Sequence, residues 1–495
     1  MNISYKKYFM GAGLAVLLIA SQSCNKVKDF KDLNTNPNLT TSPIPSALLT
    51  NVESGIGNNL VFDAGGANSG AGLYTQYISE TQYTEASRYN KPSYNWDGYY
   101  SGPLEDLQTI ISYNSSPATA GTAAAYGSNN NQIAIARILK AHYFKFLTDM
   151  VGDIPYFNAL KGNGQVTYDK QQDIYKDLIK ELKSAVDQFD NGATVQGDII
   201  FGGDVAKWKK YANSLRLLIA LNMEKADPTT GKTEFNAALS HSAGVISDNS
   251  DNVTVNYPGG TFPNPFYNYY IITQRKDYGV SKTITDQLSS TSDPRLQSFA
   301  SSSTGFPYGL TRDNATAFSN ANPNWAFLFK DDPNDPAHSF RKQNSPVVVI
   351  GAANIDLARA EAAQLGWTSE NVATLYSNGI MASMQQWNVY DATSFANYMA
   401  NPAVALTAGT EMQKIATQEW LAWFPNGLEG WNVYRRTGYP NLTPAPGTTG
   451  GIPRRMPYGS NDYSLNSANV SGPASSYTLN GVSDSWYARF WWDKQ

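Results

Sequence analysis

Cysteine and histidine are almost missing from this chain, with one Cys and three His in 495 residues. That count alone nearly excludes a disulfide framework, thiolate catalysis and a multi-histidine metal site. Charge is scarce too: Asp, Glu, Lys and Arg make up 16% of the residues, against about 25% in an average soluble domain. The net charge is −4, and two units more negative without Lys6 and Lys7. A nucleic-acid partner is not expected, because phosphate binding needs a basic footprint. Neither a G-x-S-x-G nucleophile elbow nor an H-E-x-x-H pair occurs. What is abundant is aromatic surface: 11 Trp, 31 Tyr and 20 Phe.

The first 24 residues read as an export signal. Lys6 and Lys7 precede the apolar run Phe9 to Ala20, and Ser21, Gln22, Ser23 and Cys24 follow. Twelve apolar residues fall short of the roughly 20 needed to span a bilayer. A small residue directly before a lone cysteine is similar to a bacterial lipobox, although Ser21 stands where Leu is usual. The expected organisation is a lipoprotein signal at 1–23, a lipidated tether at 24–38 beginning at Cys24, and a single domain at 39–495. An ordinary signal peptide that happens to carry a Cys is the alternative.

Helical periodicity dominates from 131 to about 245. Ile135, Leu139, Tyr143, Leu147 and Met150 form one stripe, ended by Gly152, Asp153 and Pro155. Ile174, Leu178, Leu182, Val186 and Phe189 form a second, and Trp208, Tyr211, Leu215, Leu218 and Asn222 a third. Such stripes are buried by stacking neighbours, so paired helices in the tetratricopeptide manner are expected, without a strict 34-residue repeat. Helices resume over Ile355 to Trp387, from Glu411 to Trp423 and around Glu429 to Tyr434. Pro346 to Ile350 reads as a short strand. Residues 115–131 read as a long loop, and the tail from Gly438 as irregular until its aromatic end.

Few motifs suggest chemistry. Thr229 to Thr233 (TTGKT) is a partial P-loop without its first glycine or its strand, and reads as a helix end and turn. Asp331, Asp332, Asn334 and Asp335 read as a solvated turn rather than a cation loop. His142, on a stripe-bearing helix, reads as a satisfied core residue. No metal, cofactor or catalytic residue is expected.

The positive signal lies in aromatics interleaved with Pro and Asn in loops. Tyr94 and Trp96 form one group; Phe262, Phe266, Tyr267, Tyr269 and Tyr270 another, with Asn264 and Arg275 nearby; Trp325 and Phe327 a third. A ring face exposed in a loop stacks on the C–H face of a sugar, while Asn and Arg bond its hydroxyls. The expected ligand residues are Tyr94, Trp96, Asn264, Phe266, Tyr267, Tyr269, Arg275 and Trp325, provided the fold brings at least two of the loops together. For any one ring, simple loop anchoring is an equal alternative.

Seven segments, in order, complete the picture: Asp32 to Asn38 (DLNTNPN), Thr148 to Leu160, Trp208 to Leu221, Ser292 to Leu296 (SDPRL), Arg359 to Trp387, Glu419 to Pro440, and Ile452 to Tyr458 (IPRRMPY). Together they resemble the SusD/RagB family of nutrient-binding outer-membrane lipoproteins, in its second SusD-like branch. The resemblance implies a mainly α fold in which tetratricopeptide-like helix pairs form the scaffold, with long irregular loops and few short strands. It implies a cell-surface binding protein, not an enzyme, lipid-anchored in the outer membrane and facing outward. It captures an oligosaccharide for a SusC-like TonB-dependent transporter. Arg435, Arg436, Arg454 and Arg455 fall in its scaffold segments, as structural ion pairs or partner contacts. Capture of a peptide is the alternative, and a secreted glycosidase a more distant one.

Overall fold

A computed structural model of the chain describes residues 42–63, 65–90 and 94–494. Cys24 and the leader lie outside the described residues. The fold is mainly α, built on a run of helices in which each packs against the next. Helix Glu105–Ser115 lies on Asn129–Val151, which lies on Gln171–Gln188, then Val205–Asn222 and Pro228–Leu239. The run continues through Ala352–Gln364 to Val372–Gln386 on one side and to Glu411–Ala422 and Gly427–Thr437 on the other.

Local chemistry sets the ends of these helices. Asp204 caps Val205–Asn222 by accepting from the amides of Ala206 and Lys207, and Ser128, Asn371 and Asn426 cap theirs in the same way. Gly438, at φ +81°, closes Gly427–Thr437 in the left-handed conformation that a side chain disfavours. Trp208, Trp420, Trp431 and Trp492 are fully buried, so the aromatic end of the tail is core.

Buried ion pairs join the helices. Lys145 Nζ lies 2.9 Å from Asp149 and 2.6 Å from Glu429, tying Asn129–Val151 to Gly427–Thr437. Arg436 is held by Glu361 at 2.6 Å and Glu419 at 3.0 Å, from two further helices. Arg454 pairs with Asp493 and Arg455 with Asp484. Arg435 has no carboxylate partner among the described residues. It donates to the carbonyls of Asp149 and Arg454 and lies 3.8 Å from the Trp431 ring centroid, and burial lowers its guanidinium to about 9.

Three segments depart from the sequence expectation. Residues 115–131 are not a loop: helix Glu105–Ser115 is followed by the short turns Ala120–Ala123 and Ala124–Tyr126 before Asn129–Val151. The tail carries helices Ser460–Leu465 and Ser467–Ser476. Residues 355–387 are helical as expected, in the two helices Ala352–Gln364 and Val372–Gln386. TTGKT lies inside Pro228–Leu239, where a Cβ on Gly231 would stand 2.8 Å from the Ala220 carbonyl oxygen and from Trp367. Close helix packing, rather than a turn, requires that glycine.

Two short antiparallel ladders complete the fold. Strand β1 (Ile78–Glu80) pairs with β3 (Tyr278–Val280), and β2 (Val253–Val255) with β4 (Val347–Ile350). The first ladder sets Glu80 opposite Tyr278 and holds together two segments of irregular chain some 200 residues apart.

Candidate ligand-binding cavity

Where β1 ends, the chain enters a polar loop carrying Tyr83, Glu85 and Asn90. Just before β3 stand the helical turns Pro265–Tyr267 and Asn268–Ile272 and the loop with Thr273, Arg275 and Asp277. The ladder, extended by the bond from the Thr81 amide to the Asp277 carbonyl at 2.8 Å, holds the segments against each other. Between them opens a cavity of 760 Å³, which Phe62, Tyr83, Tyr269 and Tyr278 line together with Asn58, Asn90, Asn268, Glu80, Arg275 and Asp277. Its size falls in the range of small-molecule sites.

The rings are fixed by their neighbours. Tyr269 and Tyr278 stack with centroids 5.9 Å apart at 30°, and Phe62 meets Tyr269 edge-on at 5.9 Å. The Tyr269 hydroxyl accepts from the Asp277 amide at 3.1 Å. Burial, then the neighbouring Tyr270 and Asp277, push its phenol up, so it stays neutral. Tyr83 differs: it is 54% exposed and stands at the rim. Arg275 Nε donates to Asp277 at 2.7 Å, so this cation and anion offset each other. Glu80 accepts from the amide of Ser87 at 2.9 Å and from its hydroxyl at 3.2 Å.

Of the residues expected from sequence, the cavity gathers Tyr269 and Arg275. Four others are placed by the core. Asn264 is 0% exposed and caps the Pro265 turn, accepting from the amides of Phe266 and Tyr267 and donating to the Ser345 carbonyl. Phe266 stacks on Phe62 at 4.6 Å and meets Phe329 edge-on. Trp325, 6% exposed, packs on Phe306 and Phe327 and against Gly279, where a Cβ would sit 2.9 Å from the indole. Tyr94 is buried under Gly70. Their loops do carry aromatics, but the rings turn inward because apolar surface gains more by leaving water than by facing it. Tyr267 is half-buried on its turn. Trp96 is buried and lines a separate, smaller cavity.

Sequence reasoning missed Phe62, Tyr83 and Tyr278. Tyr83 carried a weaker signal than the ring cluster at 262–270, a single ring among polar residues. Phe62 and Tyr278 carried none: Phe62 ends the helical turn Gly57–Val61, and Tyr278 opens a three-residue strand too short to show a period.

The sequence matches the SusD-like_2 family, described as "Starch-binding associating with outer membrane", over residues 37–459. This chain is a member of the SusD-like family. A solved chitin-binding protein is 26% identical, covers 91% of this chain and 100% of its own, and superposes with a TM-score of 0.76. A SusD homolog from Bacteroides uniformis is 24% identical over 91% of this chain and 99% of its own, with a TM-score of 0.75. A chitin-binding SusD homolog from Flavobacterium johnsoniae is 22% identical over 91% and 98%, also at 0.75. No curated protein matches the sequence. Among the described residues of this SusD-like chain, no helix is long and apolar enough to cross a membrane.

Proposed function

We propose that this protein binds a neutral oligosaccharide in the cavity of Tyr83, Tyr269 and Tyr278, without turning it over. The observation that carries the reading is the juxtaposition in one open 760 Å³ cavity of aromatic rings with Asn58, Asn90 and Asn268, in a member of a family described as starch-binding. Ring faces take the C–H faces of sugar residues and side-chain amides take hydroxyls. Arg275 and Asp277 offset each other and Glu80 is bonded to Ser87, while the Glu85 carboxylate, also in the lining, is a further acceptor for sugar hydroxyls. The names of two solved relatives put chitin oligosaccharides beside starch oligosaccharides at the head of a panel.

The protein acts at the outer membrane, anchored through acylated Cys24 and facing outward, and delivers its ligand to a SusC-like TonB-dependent transporter. Titration calorimetry with starch and chitin oligosaccharides, against a set of tri- to hexapeptides, tests the ligand class. Saturable binding of a glycan that stays intact on chromatography supports the reading. Binding of peptides alone, or cleavage of the glycan, contradicts it.

A further inference from the structure

A second cavity, of 250 Å³, shares no lining residue with the first. Four aromatic rings line it, those of Trp96, Tyr100, Tyr168 and Tyr458, together with the carboxyl groups of Asp97 and Asp462. Its opening lies at the surface, where Leu465 is 64% exposed and Asn163 and Gly164 are exposed. Among the described residues, no Lys, Arg or His lines it, and neither Asp97 nor Asp462 forms an ion pair. Arg455 lies 5.1 Å from the Tyr458 ring centroid, but Asp484 neutralises it. Burial, and then the like charges of Asp484 and Asp97, raise the Asp462 carboxyl above its ordinary value. The pocket is therefore walled by ring quadrupoles and carboxylates with no cation of its own.

Most polar groups in these walls already have partners, the exception being the buried indole Nε1 of Trp96. The Tyr100 hydroxyl donates to the Pro155 carbonyl at 2.8 Å and that of Tyr458 to the Asp153 carbonyl at 2.9 Å. Tyr168 donates to Asp462, the Asn461 amide to Asp97 at 2.9 Å, and the Asn466 amide to the Val166 carbonyl at 2.7 Å. A neutral sugar ring would bond these carboxylates through its hydroxyls but leave their charge without a counter-ion. An ammonium group whose hydrogens are replaced by alkyl groups needs no acceptors. It gains from ring faces and from nearby negative charge.

We propose that this cavity is a binding site for an alkylated, quaternary-type ammonium ion, held between Trp96 and the three tyrosines and balanced by Asp97 and Asp462. The proposal stands whether or not the first cavity binds sugar.

The test is calorimetry on the full chain with choline and with its uncharged isostere 3,3-dimethylbutan-1-ol. Choline should bind saturably, and the isostere roughly tenfold more weakly. Gly164→Trp fills the cavity from an exposed loop, where a Cβ meets nothing within 4 Å. It should abolish choline binding and leave the unfolding temperature unchanged. Tyr83→Ala, at the rim of the first cavity, should leave choline binding intact. Equal affinity for choline and the alcohol would overturn the proposal, as would the absence of saturable choline binding. So would binding of glucose or N-acetylglucosamine that Gly164→Trp removes, which would make this a second sugar pocket.

Discussion

The hydroxyl of Tyr211 lies 2.6 Å from Nδ1 of His142, with both side chains buried between helices Asn129–Val151 and Val205–Asn222. Burial, reinforced by the Lys145 ammonium nearby, lowers the imidazole from its ordinary 6.5 to about 3. The folded protein thus holds His142 neutral where the unfolded chain would protonate it. Its contribution to stability is complete above pH 6.5 and is lost progressively as the pH falls toward 3. An NMR titration should show no transition of the His142 ring between about pH 5 and 8, the window in which an ordinary histidine titrates. Tyr211→Phe should cost about 1–3 kcal/mol in urea unfolding by stranding the ring nitrogen.

Glu53 behaves in the opposite sense. It is fully buried: its Oε2 accepts from the Ile199 amide at 2.6 Å, and its Oε1 finds no donor. Burial, and then the charge of Asp198 beside it, raise its carboxyl well above 4.5. Because the folded value exceeds the unfolded one, the stability from this group is complete below about pH 4.5 and falls as the pH rises through the folded value. Glu53→Gln keeps the shape without the ionisation. Thermal unfolding from pH 5 to 9 should show the variant gaining on the wild type as the pH rises, and a constant difference would contradict this.

Trp325 separates anchoring from binding. Its indole fills the space between Gly279, Phe306 and Phe327. Trp325→Ala should cost about 3–5 kcal/mol of stability, as large core truncations do. At a temperature where it remains folded, the variant should bind glycan with nearly wild-type affinity.

The proposed membrane attachment turns on Cys24. Cys24→Ala should move the protein from the outer-membrane fraction to the soluble periplasmic fraction, as read by fractionation and by mass spectrometry of the mature N-terminus. Retention in the membrane, with no acyl chain on the wild type, would contradict the lipoprotein reading.

The scaffold was legible because its signals are local. The stripe from Trp208 to Asn222 marks a helix from sequence alone, and the β-branched run within Pro346 to Ile350 marks a strand. Helix Ser467–Ser476 was not legible, since only Val470 and Ala474 are buried and the rest is Ser, Asn, Gly and Pro with one Ala. The cavity was legible in part. Tyr269 and Arg275 stand in a loop whose composition flags it, but which rings turn inward depends on partners distant in sequence. Trp325 is buried by Gly279 and Phe306, and Asn264 by Ser345.

The account rests on the first cavity, and Tyr83 tests it most directly. The ring is exposed at the rim, so its removal should leave the fold intact. Titration calorimetry of wild type and Tyr83→Ala with the best glycan of the starch and chitin panel, after matching their unfolding temperatures, should show a loss of about 1–3 kcal/mol by analogy with base–aromatic stacking. That is roughly a fivefold to hundredfold weaker Kd. Tyr269→Ala should lose at least as much. Unchanged affinity in both variants would contradict the assignment and place the glycan elsewhere on the molecule.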